Sequence, residues 1–92
     1  MEQVRIANCG VVIGQMPRGR LNKITDVPGV RVGHCTLDTE RFKTGVTVIL
    51  PGPANPFADK PVAAAHVLNG FGKTLGLVQV DELGTLETPI AL

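Results

Sequence analysis

Two segments in the first half of the chain have the hydrophobic pattern of β-strands. Residues 30–35 alternate between apolar and other positions, which is the period-2 pattern of a strand with one buried face. Residues 45–50 are short, rich in β-branched side chains and followed by Pro51, which predicts a second strand. Because residues 37–44 connect the two segments, we predict an antiparallel hairpin.

The segment before this hairpin contains two signals for local structure. Pro28 fixes φ at the second position of a tight turn, and Gly29 supplies a positive φ at the third, which predicts a type II turn. Further upstream, residues 4–9 are predicted to form one or two helical turns. Gly10 ends them, because glycine accepts the left-handed conformation that closes a helix.

The second half of the chain begins with a loop. Residues 51–61 contain four prolines and are predicted to lie at the surface. Residues 62–68 are apolar and rich in alanine, so helix propensity competes with a length that suits a buried strand. We predict a strand here, because Asn69 and Gly70 follow directly.

The last two elements are a short helix and a strand. Residues 75–83 have apolar side chains at helical spacing and are followed by Gly84, so we predict a helix that this glycine ends. Residues 89–92 are predicted to begin another strand. A strand that stops abruptly leaves backbone groups unpaired and invites pairing with another chain, so we expect a homo-oligomer or a swapped dimer.

Composition limits the classes of protein to which the chain can belong. Its 92 residues are 43% hydrophobic and 18% charged, which predicts a packed single domain with a modest core. The net charge of +1 gives no basic surface for nucleic acid or anionic lipid. Residues 1–13 include Glu2, Arg5 and Asn8 and so do not resemble a signal peptide, and no apolar run is long enough to cross a membrane. We therefore expect a cytoplasmic protein.

Several catalytic and binding motifs can be tested against the sequence. Gly72-Lys73-Thr74 suggests a phosphate-binding loop, but Val67 stands where that loop needs its first glycine. A dinucleotide fingerprint fails at Leu75. We interpret residues 69–76 as a glycine-rich turn, and phosphate binding by residues 70–74 stays a weaker alternative.

The sequence also lacks the residue spacing of a zinc site and the serine that most often acts as a hydroxyl nucleophile. The two cysteines and two histidines do not have the spacing of zinc ligands, and adjacent residues on a strand point to opposite faces. The residues concerned are Cys9, His34, Cys35 and His66. We interpret the thiols as buried apolar groups and the histidines as structural. The chain contains no serine, tyrosine or tryptophan, so the commonest hydroxyl nucleophile is missing.

Acidic residues gather near the end of the chain, at Asp81, Glu82 and Glu87. Paired carboxylates can divide acid and base chemistry when their environments differ. Solvated carboxylates at a helix end are the simpler interpretation. Glu82 is the member of this group that we regard as a candidate site residue.

Four segments, in order, resemble one known family. Residues 22–34, Asn-Lys-Ile-Thr-Asp-Val-Pro-Gly-Val-Arg-Val-Gly-His, resemble the opening motif of the DmpA-type L-aminopeptidase/D-esterases and the related β-aminopeptidases. Residues 44–51 resemble the second strand of that family, residues 68–73 its Asn-Gly-x-Gly-Glu segment, and residues 82–90 a later stretch. Four ordered segments at suitable spacing are a specific signal.

The resemblance implies an α+β fold in which residues 1–92 form an incomplete single domain, the N-terminal portion of an α-β-β-α sandwich that is DmpA/ornithine-acetyltransferase-like. It implies a self-processing serine aminopeptidase that hydrolyses N-terminal residues from small peptides, amides or esters, and that needs no metal or organic cofactor. The family's nucleophilic serine and its oxyanion-binding residues come from later sequence, so no catalytic residue can be assigned in this chain.

The resemblance leaves two candidate substrate-binding residues, Asn69 and Glu82, which we expect to approach the substrate amine or an oligomer interface. Lys73 replaces the usual glutamate of the Asn-Gly segment, which weakens a pocket role for that position. The expected partners are the remainder of the aminopeptidase or a second copy of the chain. The alternative is a non-catalytic binding or assembly module derived from the same fold.

Overall fold

The computed structural model describes residues 4–92, and its largest element is a three-stranded antiparallel sheet. The strands are β1 (Arg31–Asp38), β2 (Lys43–Leu50) and β3 (Ile90–Ala91), in the order β1-β2-β3. The register places Arg31 opposite Leu50 and Asp38 opposite Lys43. The predicted hairpin is therefore confirmed, with β1 longer than the sequence pattern indicated.

The hairpin loop is shorter than predicted because Thr39 organises it. The Oγ1 atom of Thr39 accepts the backbone N–H groups of Arg41 and Phe42 at 3.2 and 3.0 Å. The Thr39 N–H in turn donates to the Phe42 carbonyl at 2.9 Å. These bonds confine the reversal of the chain to residues 39–42, so both strands extend further towards it.

The local predictions upstream of the sheet are confirmed. A 3-10 helix spans Ile6–Cys9 and ends at Gly10, whose φ is +77°. Gly29 has a φ of +84°, and the N–H of Val30 donates to the carbonyl of Val27 at 3.2 Å, which closes the predicted type II turn. A second 3-10 helix spans Ile24–Asp26.

The predicted helix near the end of the chain is also present. The α-helix α1 spans Leu77–Leu83 and begins after Gly76, whose φ of +82° delays its start by two residues. It ends at Gly84, whose φ is +67° and whose N–H donates to the carbonyl of Val80 at 2.8 Å. The predicted strand at residues 89–92 is confirmed as β3, in which Ile90 pairs with Ile49.

The strand predicted at residues 62–68 is wrong. Only Val62 forms a bridge, to Thr85, flanked by hydrogen bonds from Ala63 N–H to the Gly84 carbonyl and from Leu86 N–H to the Pro61 carbonyl, both at 2.9 Å. The rest of the segment has no regular structure. Alanine does not supply the branched side-chain packing that favours a strand, and within residues 4–92 the segment pairs only through the single bridge to Thr85.

The sheet has two chemically different faces, because residues opposite each other in the register share a face. The apolar face consists of Gly33, Cys35, Leu37, Val46, Val48, Leu50 and Ala91, with Arg31 and Thr44 at its margins. The polar face consists of Val32, His34, Thr36, Asp38, Lys43, Gly45, Thr47, Ile49 and Ile90. On the apolar face, the side chains of Leu37 and Val46 are each 53% exposed.

The expectation of a packed core with one buried strand face is wrong for this chain. Val80, at 8% exposure, is the buried residue of the described part of the chain, and in β1 only Val32 reaches intermediate burial. The Cα radius of gyration is 15.9 Å, whereas a compact domain of this length measures roughly 12 Å. The apolar side chains are present, but residues 4–92 place no second layer over them.

Candidate functional site

Asn69 lies in the glycine-rich turn that the sequence indicated. Its Oδ1 atom accepts the backbone N–H of Phe71 at 3.1 Å, which is the Asx-turn geometry that asparagine favours. The Phe71 ring beside it is 95% exposed. The side chain of Asn69 therefore holds the turn and leaves an aromatic ring uncovered.

Glu82 lies on α1 and is exposed to solvent. Glu87, which the sequence grouped with it, is different: its carboxylate lies 3.9 Å from the Lys60 ammonium, and both side chains are about two-thirds buried. The same ammonium lies 4.1 Å from the centre of the Phe57 ring, within the range of a cation–π contact. Glu87 thus ties the proline-rich loop to the segment before β3.

A groove of about 900 Å³ lies between α1, the alanine-rich segment and the end of the chain. It is lined by residues 63–65, 73–77 and 86–92 together with Gln79 and Val80. Gln79 Nε2 donates to the Thr85 carbonyl at 3.0 Å and so fixes one wall. Neither Asn69 nor Glu82 lines this groove, and their predicted role in substrate binding stays a prediction.

A second cavity of about 470 Å³ lies among residues 6–26. Asp26 forms part of its wall, and its carboxylate accepts the N–H groups of Leu21 at 2.9 Å and Lys23 at 3.1 Å. These backbone donors lower the pKa of Asp26 from its ordinary value, because they stabilise the charged form. The sequence analysis did not single out this residue, although its place in a short turn is typical of a carboxylate that accepts backbone N–H groups.

His34 and Thr47 form a hydrogen bond across the polar face, with 2.8 Å between Nδ1 and Oγ1. A hydroxyl beside an imidazole resembles a nucleophile beside a base, but such sites also need a third group that orients the base. Within residues 4–92, His34 makes no second hydrogen bond. The pair therefore connects two strands, as the structural interpretation of this histidine predicted.

The cysteines differ from their predicted environment. Cys9 and Cys35 are both free thiols, and both are exposed, so the interpretation of them as buried groups is wrong. No group of three or more potential metal-binding side chains occurs within the described range. No helix in that range is long and apolar enough to cross a membrane.

Comparison with known proteins identifies the family of this chain. The model of the family described as Peptidase family S58 matches residues 22–92. The chain belongs to peptidase family S58. The resemblance to DmpA-type enzymes and β-aminopeptidases that the four sequence segments indicated is thereby confirmed.

Three individual proteins that are similar to this chain support this assignment. The β-peptidyl aminopeptidase BapA of Sphingosinicella xenopeptidilytica is 39% identical over 97 residues, which cover 96% of this chain. The crystal structure of the PH0078 protein from Pyrococcus horikoshii OT3 matches 96% of this chain with a TM-score of 0.75 and 44% identity. A β-aminopeptidase of Burkholderia sp. matches 96% with a TM-score of 0.70 and 49% identity.

The chain is much shorter than the relatives that it matches. The chain spans 24% of BapA, 28% of the Pyrococcus horikoshii chain and 26% of the Burkholderia chain. The mixed α and β structure of residues 4–92 thus corresponds to about a quarter of each of these relatives. Three-quarters of each relative has no counterpart in this sequence.

Proposed function

We propose that this chain is the scaffold-forming part of a self-processing serine aminopeptidase, which hydrolyses N-terminal residues from small peptides, amides or esters in the cytoplasm. Family membership and the β-aminopeptidase relatives support the reaction class. The uncovered apolar face of the sheet is the observation that carries the proposal. It is contiguous, it spans all three strands, and it has the composition of a surface that packs against another layer.

The proposed architecture is the α-β-β-α sandwich, with the apolar face of this sheet packed against a second sheet from the remainder of the enzyme. Two sheets that pack face to face bring side chains such as Leu37, Val46 and Val48 into a shared interior. Removing about 100 Å² of apolar surface from water contributes roughly 2.5 kcal/mol, so covering this face is strongly favourable. The opposite face carries His34, Thr36 and Asp38 together with Val32, Ile49 and Ile90, which are already half-buried.

The chain alone is proposed to be inactive. Amide hydrolysis requires an activated nucleophile and donors that stabilise the developing oxyanion. The sequence has no serine, and the His34–Thr47 pair lacks an orienting group. In the proposed enzyme, the nucleophile and the oxyanion donors come from outside these 92 residues, and no cofactor takes part.

A chimera tests this function directly. The matching quarter of the Burkholderia β-aminopeptidase is replaced by this chain, and hydrolysis of a β-amino-acid p-nitroanilide is followed by absorbance. We expect the chimera to hydrolyse the substrate and to show self-cleavage into two chains on a denaturing gel. The isolated 92-residue chain, assayed in parallel, is expected to release no nitroaniline.

Two other outcomes would change the conclusion. Turnover by the isolated chain would overturn the proposal, because it would require a nucleophile among the present residues. A chimera that folds, as judged by circular dichroism and elution volume, but neither cleaves itself nor hydrolyses substrate would favour the alternative function. That alternative is a binding or assembly module that keeps the S58 fold without its chemistry.

A further inference from the structure

The positive charge of the chain is concentrated in its first third. Residues 4–30 contain four basic residues and one acidic residue, which gives this segment a net charge of +3, whereas the whole chain carries +1. A region with one predominant sign of charge attracts ligands of the opposite sign. The basic residues are Arg5, Arg18, Arg20 and Lys23, and the acidic residue is Asp26.

The cavity of about 470 Å³ described above lies within this segment. Arg18 and Lys23 line it, whereas Arg20, between them in sequence, does not. Within residues 4–92, neither Arg18 nor Lys23 forms an ion pair, because the ion pairs there lie at the hairpin and in the proline-rich loop. Two cations on one cavity wall are thus available to an anion.

Asp26, the acidic residue of the same wall, is held by the backbone. Its carboxylate accepts the N–H groups of Leu21 and Lys23, and a Cβ atom at Gly19 would overlap it. Backbone N–H donors are the main cause of its lowered pKa, and the positive charge of Lys23 is the smallest cause. The Lys23 ammonium is therefore not in close contact with this carboxylate.

Hydrogen bonds within the segment fix the walls of the cavity. The Arg5 guanidinium donates to the carbonyls of Leu21 and Asn22 and so joins the start of the chain to the turn before the second 3-10 helix. Arg18 Nη2 donates to the Val11 carbonyl at 3.4 Å, which leaves the other N–H groups of this guanidinium without a partner in residues 4–92. The shape of the cavity thus depends on residues 5–26 alone.

Most of the remaining wall is apolar. It includes Ile6, Val11, Ile13, Met16 and Ile24, and the side chains of Ile13 and Met16 are 75% and 87% exposed. Pockets of this volume hold small molecules, which they bind by apolar contact and a few placed polar groups. An apolar wall beside two available cations suits an anion that also has an apolar part.

We propose that this cavity binds a small carboxylate with an apolar body, and that Arg18 and Lys23 hold the carboxylate group. The planar guanidinium presents paired N–H groups that match two carboxylate oxygens, and the Lys23 ammonium supplies a second charge. The apolar body lies against Ile13 and Met16. A single negative charge fits better than a phosphate dianion, because the nearby Asp26 carboxylate repels an anion in proportion to its charge.

A ligand of this chemistry has two sources. A short peptide substrate of the proposed aminopeptidase keeps a free C-terminal carboxylate, and a separate carboxylate bound away from the reaction has the same groups. Binding is measured without turnover, so the proposal does not depend on the enzyme function. Turnover is needed only to separate the two sources.

The binding test uses the isotope-labelled 92-residue chain, whose amide NMR signals are followed during titration with N-acetyl-leucine. We expect saturable shifts among residues 11–24. N-acetyl-leucinamide lacks the charge and acetate lacks the apolar body, so each should bind at least about tenfold more weakly. The amide signals of Leu21 and Lys23, displaced by their bonds to Asp26, report in the same spectra that the cavity is formed. If these two signals are not displaced, the titration is made by calorimetry on the folded chimera.

Matched variants assign the carboxylate to its two partners. Arg18→Met and Lys23→Met each remove a charge and keep a long side chain, and each should weaken binding of N-acetyl-leucine about tenfold. Lys23→Arg keeps the charge and should retain binding. Arg20→Met removes a neighbouring charge from outside the cavity and should leave the affinity unchanged.

The chimera separates the two sources. If the ligand is the C-terminus of the substrate, Lys23→Met should raise KM for β-alanyl-leucine about tenfold and leave KM for β-alanyl-leucinamide unchanged. If the ligand is a separate carboxylate, both KM values should stay the same while the chimera still binds N-acetyl-leucine. A folded but inactive chimera would contradict the enzyme function and would leave the calorimetric result intact.

Four results would overturn the proposal. One is the absence of saturable binding of N-acetyl-leucine when the Leu21 and Lys23 signals show a formed cavity. Equal affinities for N-acetyl-leucine and its amide would show that no carboxylate is recognised. Equal losses from Arg20→Met and Lys23→Met would show a diffuse effect of charge. Binding by the isolated chain but not by the folded chimera would show that another part of the enzyme fills the cavity.

Discussion

Gly84 donates its backbone N–H to the carbonyl of Val80 at 2.8 Å, and this bond ends α1 one turn after the most deeply buried side chain of residues 4–92. Gly84 has a φ of +67°, a conformation that costs a residue with a Cβ atom about 1–2 kcal/mol. A Cβ atom at Gly84 would meet no other atom within 4 Å. Any cost of a substitution there therefore comes from the backbone conformation.

We predict that Gly84→Ala lowers the free energy of unfolding by about 1–2 kcal/mol. The measurement is urea denaturation of the chimera, in which a complete fold provides a cooperative transition. Gly72→Ala is the matched control, because a Cβ atom there also meets open space and its φ is not positive. Equal effects of the two substitutions would contradict the assignment of Gly84 as the residue that ends the helix.

Asp26 provides a prediction about pH. Hydrogen bonds from the Leu21 and Lys23 N–H groups lower the pKa of its carboxyl below 3.8. A carboxylate with a lowered pKa in the folded state stabilises that state above its unfolded pKa, and the stabilisation is lost as the pH falls through the folded value. The turn that Asp26 holds should therefore be intact at pH 5 and should loosen only in strong acid.

Amide proton shifts of Leu21 and Lys23, followed by NMR as the pH is lowered, check this expectation. Both should titrate together, with a midpoint below 3.8. Asp26→Asn should abolish the titration. A midpoint at or above the ordinary value would show that the two hydrogen bonds do not hold the carboxylate in solution.

The local elements were predictable because each depends on residues close together in sequence. Gly29 and Gly84 have the positive φ values that the turn and the helix end require, and only glycine adopts these without strain. The hairpin was predictable from the alternation in residues 30–35 and from the β-branched side chains of residues 45–50. The extra length of β1 did not, because it depends on how Thr39 bonds within the loop.

The failed predictions concern long-range packing. The alternation placed Val30, Val32 and His34 on the face expected to be buried, and of β1 only Val32 reaches intermediate burial, because full burial of a face requires a second layer that residues 4–92 do not supply. The strand predicted at residues 62–68 failed for a related reason, since a strand exists only beside a partner. The groove beside Gln79 has no sequence motif, because residues far apart in the chain form its walls.

The apolar face provides a prediction about assembly. Val46→Asp places a carboxylate at the centre of that face, where packing against a second layer would bury it unpaired. Burying an unpaired charge is strongly unfavourable, so the chimera carrying this substitution should be insoluble or inactive. Thr36→Asp adds the same charge to the polar face and should retain activity in the p-nitroanilide assay. Loss of activity from Thr36→Asp alone would indicate that the polar face is the packed one.

Asn69 and Glu82 provide the last prediction, which concerns substrate binding in the chimera. Asn69→Ala removes the acceptor for the Phe71 N–H, a loss of about 0.5–1.5 kcal/mol. We expect a roughly two- to tenfold rise in KM, whereas Asn69→Asp keeps the acceptor and should be milder.

Glu82→Ala should raise KM for substrates with a free amine, because it removes a negative charge, and Glu82→Gln should do the same. Asp81→Ala, on the same helix, is the control and should leave KM unchanged. If KM, kcat and elution volume are all unaffected by Asn69→Ala and Glu82→Ala, neither residue approaches the substrate amine or a subunit interface.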